Sequence, residues 1–169
     1  MTESSPSFVC PHCGKSHDGF PTDYGYSLPD DVWAIPEEER TSKAKWTTDL
    51  CQFGERYFIR CLLPVQFTDR DGYFGWGLWV EVEWPIFERY LEIYEKDATS
   101  EPTVSAKLAN QPPGYERVLG CPVSIKYGTS TERPRIEFAP GLSNGLASEQ
   151  VLGITSARYH QILENIGAI

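Results

Sequence analysis

Residues 74–84, FGWGLWVEVEW, alternate from end to end. Phe74, Trp76, Leu78, Val80, Val82 and Trp84 fall on one side of an extended chain, and Gly75, Gly77, Trp79, Glu81 and Glu83 on the other. Successive side chains of a strand point to opposite faces, so this period over this length predicts a strand with one face in the core and one largely open. Such a strand needs partners. DLCQF and RYFIRCLLPVQF, rich in β-formers and broken by Gly54-Glu55, supply a hairpin before it, and Asp69-Arg70-Asp71-Gly72 a turn into it.

Helical periodicity follows. Pro85 suits a first helical position, and Phe87, Tyr90, Leu91 and Tyr94 recur on one helix face. Residues 99–114, with three prolines, read as a linker-like loop, and 117–127 and 133–138 as strands. ASEQVLG reads as a short helical turn. SARYHQILENIG reads as a helix with Tyr159, Ile162, Leu163 and Ile166 buried, ended by Gly167. The expected class is α+β, a mostly antiparallel sheet with two packed helices, in a single domain over 1–169. Residues 41–169 form its core. Residues 1–40 are an irregular lobe, except for a helical turn at Pro36–Arg40.

That lobe carries CPHCGKSH. Cys10, Cys13 and His17 have the spacing of a zinc knuckle, with Gly14 where the chain must reverse. A structural zinc takes four ligands, and Cys51, at the entry to the first core strand, is the best-placed fourth; His12 competes. Reduced unligated thiols and redox chemistry are the other readings of CxxC. Four protein ligands would close the site, stapling the lobe to the sheet without activating water. Cys61 and Cys121, inside predicted strands, read as small apolar residues.

The net charge of −9 disfavours nucleic acid, whose binding rests on Lys and Arg. No stretch is long and apolar enough to span a bilayer, and MTESSPS lacks the basic start of a secretory leader, so the expectation is a cytoplasmic protein without membrane contact. From Ser16 to Glu39 there are acids but no Lys or Arg. Asp30, Asp31, Glu37, Glu38 and Glu39, interleaved with Tyr24, Tyr26 and Trp33, form either a solvated face or a docking surface for a basic protein.

FVCPHCGKSHDGFP, DLC at Asp49–Cys51, YFIR at Tyr57–Arg60, FGWGLWVEV, LANQPPGY at Leu108–Tyr115, RPRIEF at Arg133–Phe138 and LASEQVLGIT at Leu146–Thr155 occur in this order. Together they resemble a bacterial family known as domain of unknown function 2199. The resemblance implies no activity. It does imply that CPHC and DLC belong together, and it makes Cys61 incidental, since a glycine stands there in the family.

Catalytic constellations are sparse. Glu81 and Glu83 share a strand face, with Glu137 on a possible neighbour strand, and more often such acids are the wet side of a sheet. Arg60, Arg133 and Arg135 alternate with apolar residues, so they suit either oxyanion recognition or pairing with Glu81, Glu83 or Glu137. Cys121 or Cys61 with His160, read as a surface or boundary residue, lacks an orienting acid. Two readings stand: a non-catalytic, zinc-stapled binding protein, of the immunity-protein or antitoxin kind by analogy of size and charge, and a hydrolase or transferase using Arg60, Glu81, Glu83 and Arg135. The metal reading predicts about one zinc per chain in protein purified without a histidine tag. Cys51→Ser should lose both the zinc and thermal stability, and a metal-free native protein would contradict it.

Overall fold

The computed structural model describes residues 20–169. Cys10, Cys13, His17 and the competing His12 lie outside the described residues. In chain order the elements are β1 (Asp23–Gly25), α1 (Asp30–Trp33), α2 (Glu37–Lys43), β2 (Ala44–Trp46), β3 (Leu50–Phe53), β4 (Arg56–Gln66) and β5 (Tyr73–Val82). There follow α3 (Trp84–Ile93), β6 (Val104–Leu108), β7 (Pro122–Lys126), β8 (Arg135–Phe138), α4 (Gly145–Leu152) and α5 (Ser156–Asn165).

The class is α+β, but the sheet closes on itself. Strands β4 to β8 pair in sequence, and β8 returns to β4, so five strands form a barrel. A ring with an odd number of strands cannot alternate direction throughout. One neighbouring pair must run parallel, and it is β4 with β8, joined at Leu62 and Arg135, where Leu62 N donates to Pro134 O (2.8 Å). The long hairpin β4–β5 is the spine, in register from Tyr57–Val82 to Gln66–Tyr73. Its outer edges carry β3 and β2 on one side and β1, parallel to β5, on the other.

The alternation of residues 74–84 explains the interior. Phe74, Trp76, Leu78, Val80 and Val82 point inward with Ile59, Cys61, Leu63 and Val65 of β4, and the apolar sides of α3 and α5 join the same core. Three positions depart from expectation. Trp84 leaves the strand to become the first residue of α3 and is exposed. In α3 the buried set is Phe87, Tyr90 and Ile93, spaced by three, while Leu91 and Tyr94 face outward. Of the predicted C-terminal stripe, Tyr159, Ile162 and Leu163 are buried and Ile166, the C-cap, is half-buried, with Gly167 at φ 78° after the helix.

Helices α2 and α4 form where helical turns were expected at Pro36–Arg40 and in ASEQVLG, each longer than expected, and α1 is an additional one. The predicted loop 99–114 contains β6. Its three prolines flank the Val104–Leu108 segment, leaving Ala106 and Leu108 free to alternate inward.

The outer face of β5, expected to be open, is covered. Gly75 and Gly77 leave room for close approach. A Cβ at Gly75 would stand 2.8 Å from Leu62 Cδ1, one at Gly77 would stand 3.0 Å from the Gly25 Cα, and one at Gly25 would stand 2.5 Å from Arg60 Nη2. Beyond the glycines, Trp79 lies fully buried in a second core with Leu28, Val32, Ile35, Ala44, Cys51, Phe58 and Ala109. The segment 26–35 is therefore the lid of a second apolar layer.

Hydrogen bonds fix that lid. Asn110, with no exposure, accepts the Trp79 backbone N–H at Oδ1 (2.7 Å) and donates from Nδ2 to Leu28 O (3.0 Å) and Asp30 Oδ1 (2.8 Å). Trp79 Nε1 donates to Tyr26 O (2.9 Å). Removing the amide would strand a buried N–H and a buried carbonyl together. Asn110→Ala should cost about 2–4 kcal/mol of unfolding free energy in denaturant titration. A loss under about 0.5 kcal/mol, the size of an ordinary surface change, would contradict this account.

Candidate functional site

Residues 23–39 divide into an inner set that holds the lid and an outer set that faces solvent. Asp30 belongs to the inner set. Its Oδ1 accepts from Asn110, and its Oδ2 accepts from the Gln111 backbone N–H (2.8 Å). Its own N–H donates to Ala109 O (2.9 Å). Tyr26 donates its hydroxyl to Gln111 O (3.3 Å), and burial raises its phenol above the usual range. Tyr24 packs edge-on against Tyr26 and against Trp76 of the main core, with ring centroids 5.5 and 6.0 Å away.

Trp33 is the outward aromatic, 61% exposed at the end of α1. The Arg40 guanidinium stacks over it, 4.7 Å from the ring centroid, and donates from Nη2 to Trp33 O (2.9 Å) and Ile35 O (3.0 Å). The indole therefore stays in place without being buried. A cavity of about 280 Å³ opens beside it, lined by Tyr24, Tyr26, Leu28, Asp30 and Trp33 itself.

Around this aromatic stand the acids. Glu37, Glu38 and Glu39 occupy the first turn of α2, where the helix dipole favours them. Glu39 reaches Lys43 (3.6 Å), and Asp31 shares Arg56 with Glu81, both at 2.8 Å. All four of these acids are solvent-exposed or nearly so.

Cys51, the expected fourth zinc ligand, is 1% exposed in the second core, and burial pushes its thiol up to about 11. Among the described residues no three His, Cys, Asp or Glu side chains gather as a metal site would need.

The sheet-face set disperses. Glu81 belongs to Arg56, and Glu83 is exposed at the N-cap position of α3, where its side chain makes no capping hydrogen bond. Glu137 sits opposite Ser124 on β7, away from β5. Arg133 pairs with Asp49 (2.9 Å), whose carboxyl also accepts the Tyr94 hydroxyl (2.6 Å). Burial opposes ionisation of Asp49, yet these two hydrogen bonds hold it below the usual carboxylate range. Arg135 lies 5.6 Å from the Tyr73 ring. Arg60 lies flat over Gly25, with its Nε buried and without a hydrogen-bond partner among the described residues. Among the described residues none of Arg60, Arg133 and Arg135 pairs with Glu81, Glu83 or Glu137, and the carboxylate partner of Arg133 is Asp49 instead. Arg60, Glu81, Glu83 and Arg135 line none of the cavities described here.

His160, expected at the surface or its boundary, is 7% exposed, with Nε2 2.6 Å from Glu164 Oε1. Cys61 is enclosed in the barrel. The sequence also conceals a larger cavity whose walls include Tyr115, Arg117, Cys121, Glu149 and Arg158. Tyr115 and Glu149 fall in LANQPPGY and LASEQVLGIT, motifs without charge periodicity that meet only through tertiary packing.

The chain matches, over residues 9–154, the family described as an uncharacterized protein conserved in bacteria, domain of unknown function 2199 (DUF2199), and it belongs to that family. No curated protein and no solved structure matches it. No helix of the described residues is long and apolar enough to cross a membrane.

The division into inner and outer acids is testable. Asp30→Ala should lower unfolding free energy by about 1–3 kcal/mol, because it leaves the Gln111 N–H and one of the two Asn110 Nδ2 hydrogens unpaired. Glu37→Ala and Glu38→Ala should stay within about 0.5 kcal/mol of native. Equal effects in chemical denaturation would contradict the division.

Proposed function

We propose that this protein is a non-catalytic binding protein that docks a basic protein on the surface formed by Trp33, Asp31, Glu37, Glu38 and Glu39. The observation that carries the reading is the 61% exposure of Trp33 on a segment otherwise held rigidly to the barrel. A fixed aromatic costs little entropy to immobilise, and tryptophan is enriched among residues that dominate binding energy. The acids around it, in a chain of net charge −9, favour approach by a cationic surface. Stacking of Arg40 on Trp33 supplies an internal example of the contact an incoming arginine would make on the open part of the ring.

Tyr24, Tyr26 and Asp30 support this surface from beneath. In the same reading, zinc held by Cys10, Cys13, His17 and Cys51 would staple residues 10–17 to β3. An immunity-protein or antitoxin role agrees with the size and charge and rests on analogy alone.

The test uses Trp33→Ala combined with Glu37→Lys and Glu38→Lys, leaving Asp30 intact. In quantitative affinity capture, the native chain should enrich a basic protein that the variant fails to hold. The contact should also weaken as salt is raised to about 1 M, where the Debye length is about 3 Å. Equal recovery by a folded variant would overturn the docking surface.

A further inference from the structure

The cavity concealed from the sequence has a volume of about 600 Å³ and opens between the 114–121 loop, the 142–145 turn and helices α4 and α5. Its polar groups come from four separate segments, and two of them are guanidiniums.

Arg158 is held from behind. Its Nε donates to Glu149 Oε1 (2.6 Å) and its Nη1 to Gln161 Oε1 (3.0 Å). Glu149 accepts the Tyr115 hydroxyl at its other oxygen (2.6 Å), and the Arg158 guanidinium lies 5.3 Å from the Tyr115 ring centroid. Both carboxylate oxygens are thus committed, and the arginine is fixed before any ligand arrives. Pre-ordering of this kind reduces the entropy lost when a guanidinium clamps an oxyanion.

Arg117 reaches the same cavity from the loop. Among the described residues it is the one non-glycine with a left-handed backbone, φ 59°. That conformation costs about 1–2 kcal/mol for a side chain with a Cβ, and such strain concentrates at binding sites. The loop is braced in this shape, since the Cys121 thiol donates to Arg117 O (2.9 Å) and accepts from Asn144 Nδ2 (3.4 Å). Arg117 itself is exposed and has no carboxylate partner among the described residues. Ser143 adds a hydroxyl to the wall, and Glu116 is the one lining carboxylate outside the Arg158 network.

We propose that this cavity binds a small molecule through an oxyanion group, phosphate or carboxylate, held by Arg117 and Arg158 with hydroxyl support from Ser143. A planar guanidinium offers two parallel donors to either group, and two guanidiniums on one concave wall satisfy more oxygens than either alone. The site is separate from the Trp33 surface, so the fate of one proposal leaves the other standing.

Calorimetric titration with inorganic phosphate and with acetate, at ionic strength fixed by chloride, tests it on the native chain, on Arg117→Gln and on Arg158→Gln. The native protein should saturate with at least one anion at millimolar concentration, and whichever anion binds identifies the group. Each variant should weaken that binding about tenfold or more, the worth of a charge-assisted contact. Arg117→Gln carries the decision if Arg158→Gln fails to fold, because the Arg117 side chain makes no hydrogen bond among the described residues. Alkylation of Cys121, followed by peptide mass spectrometry, should slow when the anion is bound to the native chain and stay unchanged in Arg117→Gln. No saturation by either anion, or undiminished affinity in folded Arg117→Gln, overturns the proposal.

Discussion

The architecture depends on what covers Trp79. The β4–β5 hairpin has an apolar inner face that closes the barrel and an outer face that would otherwise expose an indole and Phe58 to water. Segment 26–35 buries both, and it stays because Asn110 satisfies the Trp79 N–H, the Leu28 carbonyl and Asp30 with one amide. Burial of the two aromatic side chains supplies about 2–3 kcal/mol each, while the hydrogen bonds give the lid one position rather than many. The glycines at 25, 75 and 77 complete the arrangement by letting β1, Leu62 and Arg60 lie close against the sheet.

This junction separates the charged surface into two kinds of group. Asp30 is consumed in holding the lid, and Arg56 binds Asp31 and Glu81 across its edge. The acids of α2 and the ring of Trp33 remain outward, on a support that cannot shift without uncovering the second core. At the cavity beside Tyr115 the same economy appears in a different form. There Glu149 is consumed in fixing Arg158, and the guanidinium is what faces the cavity. In both places a buried or half-buried carboxylate does positional work, and the group beside it is presented to solvent.

Much of this was legible in the sequence. The alternation of residues 74–84 located the central strand and its inward residues from Phe74 to Val82, though not Trp84; the turns at Gly54-Glu55 and Asp69–Gly72 fall where expected, while the strands expected over 117–127 and 133–138 are the shorter Pro122–Lys126 and Arg135–Phe138. Barrel closure was not legible. It rests on the single register pair Leu62–Arg135, and nothing in either strand distinguishes a parallel partner from an antiparallel one. The role of Asp30 was hidden because an acid among acids reads as solvated face, and its partners Asn110 and Gln111 stand some eighty residues away. Val104–Leu108 was concealed by its flanking prolines. The cavity at Arg117 and Arg158 joins motifs that carry no common local pattern, so only the packed structure assembles it.

The central claim is that segment 26–35 and the barrel form one cooperative body, which is what makes the Trp33 surface rigid. Native-state amide hydrogen exchange measures this directly, by comparing the Tyr26, Asp30 and Trp79 amides with barrel amides such as Val80 and Ile125. The account predicts that all of them open only with global unfolding, at one shared free energy. Exchange of Tyr26 and Asp30 through a much cheaper local opening, with Val80 and Ile125 still protected, would contradict it.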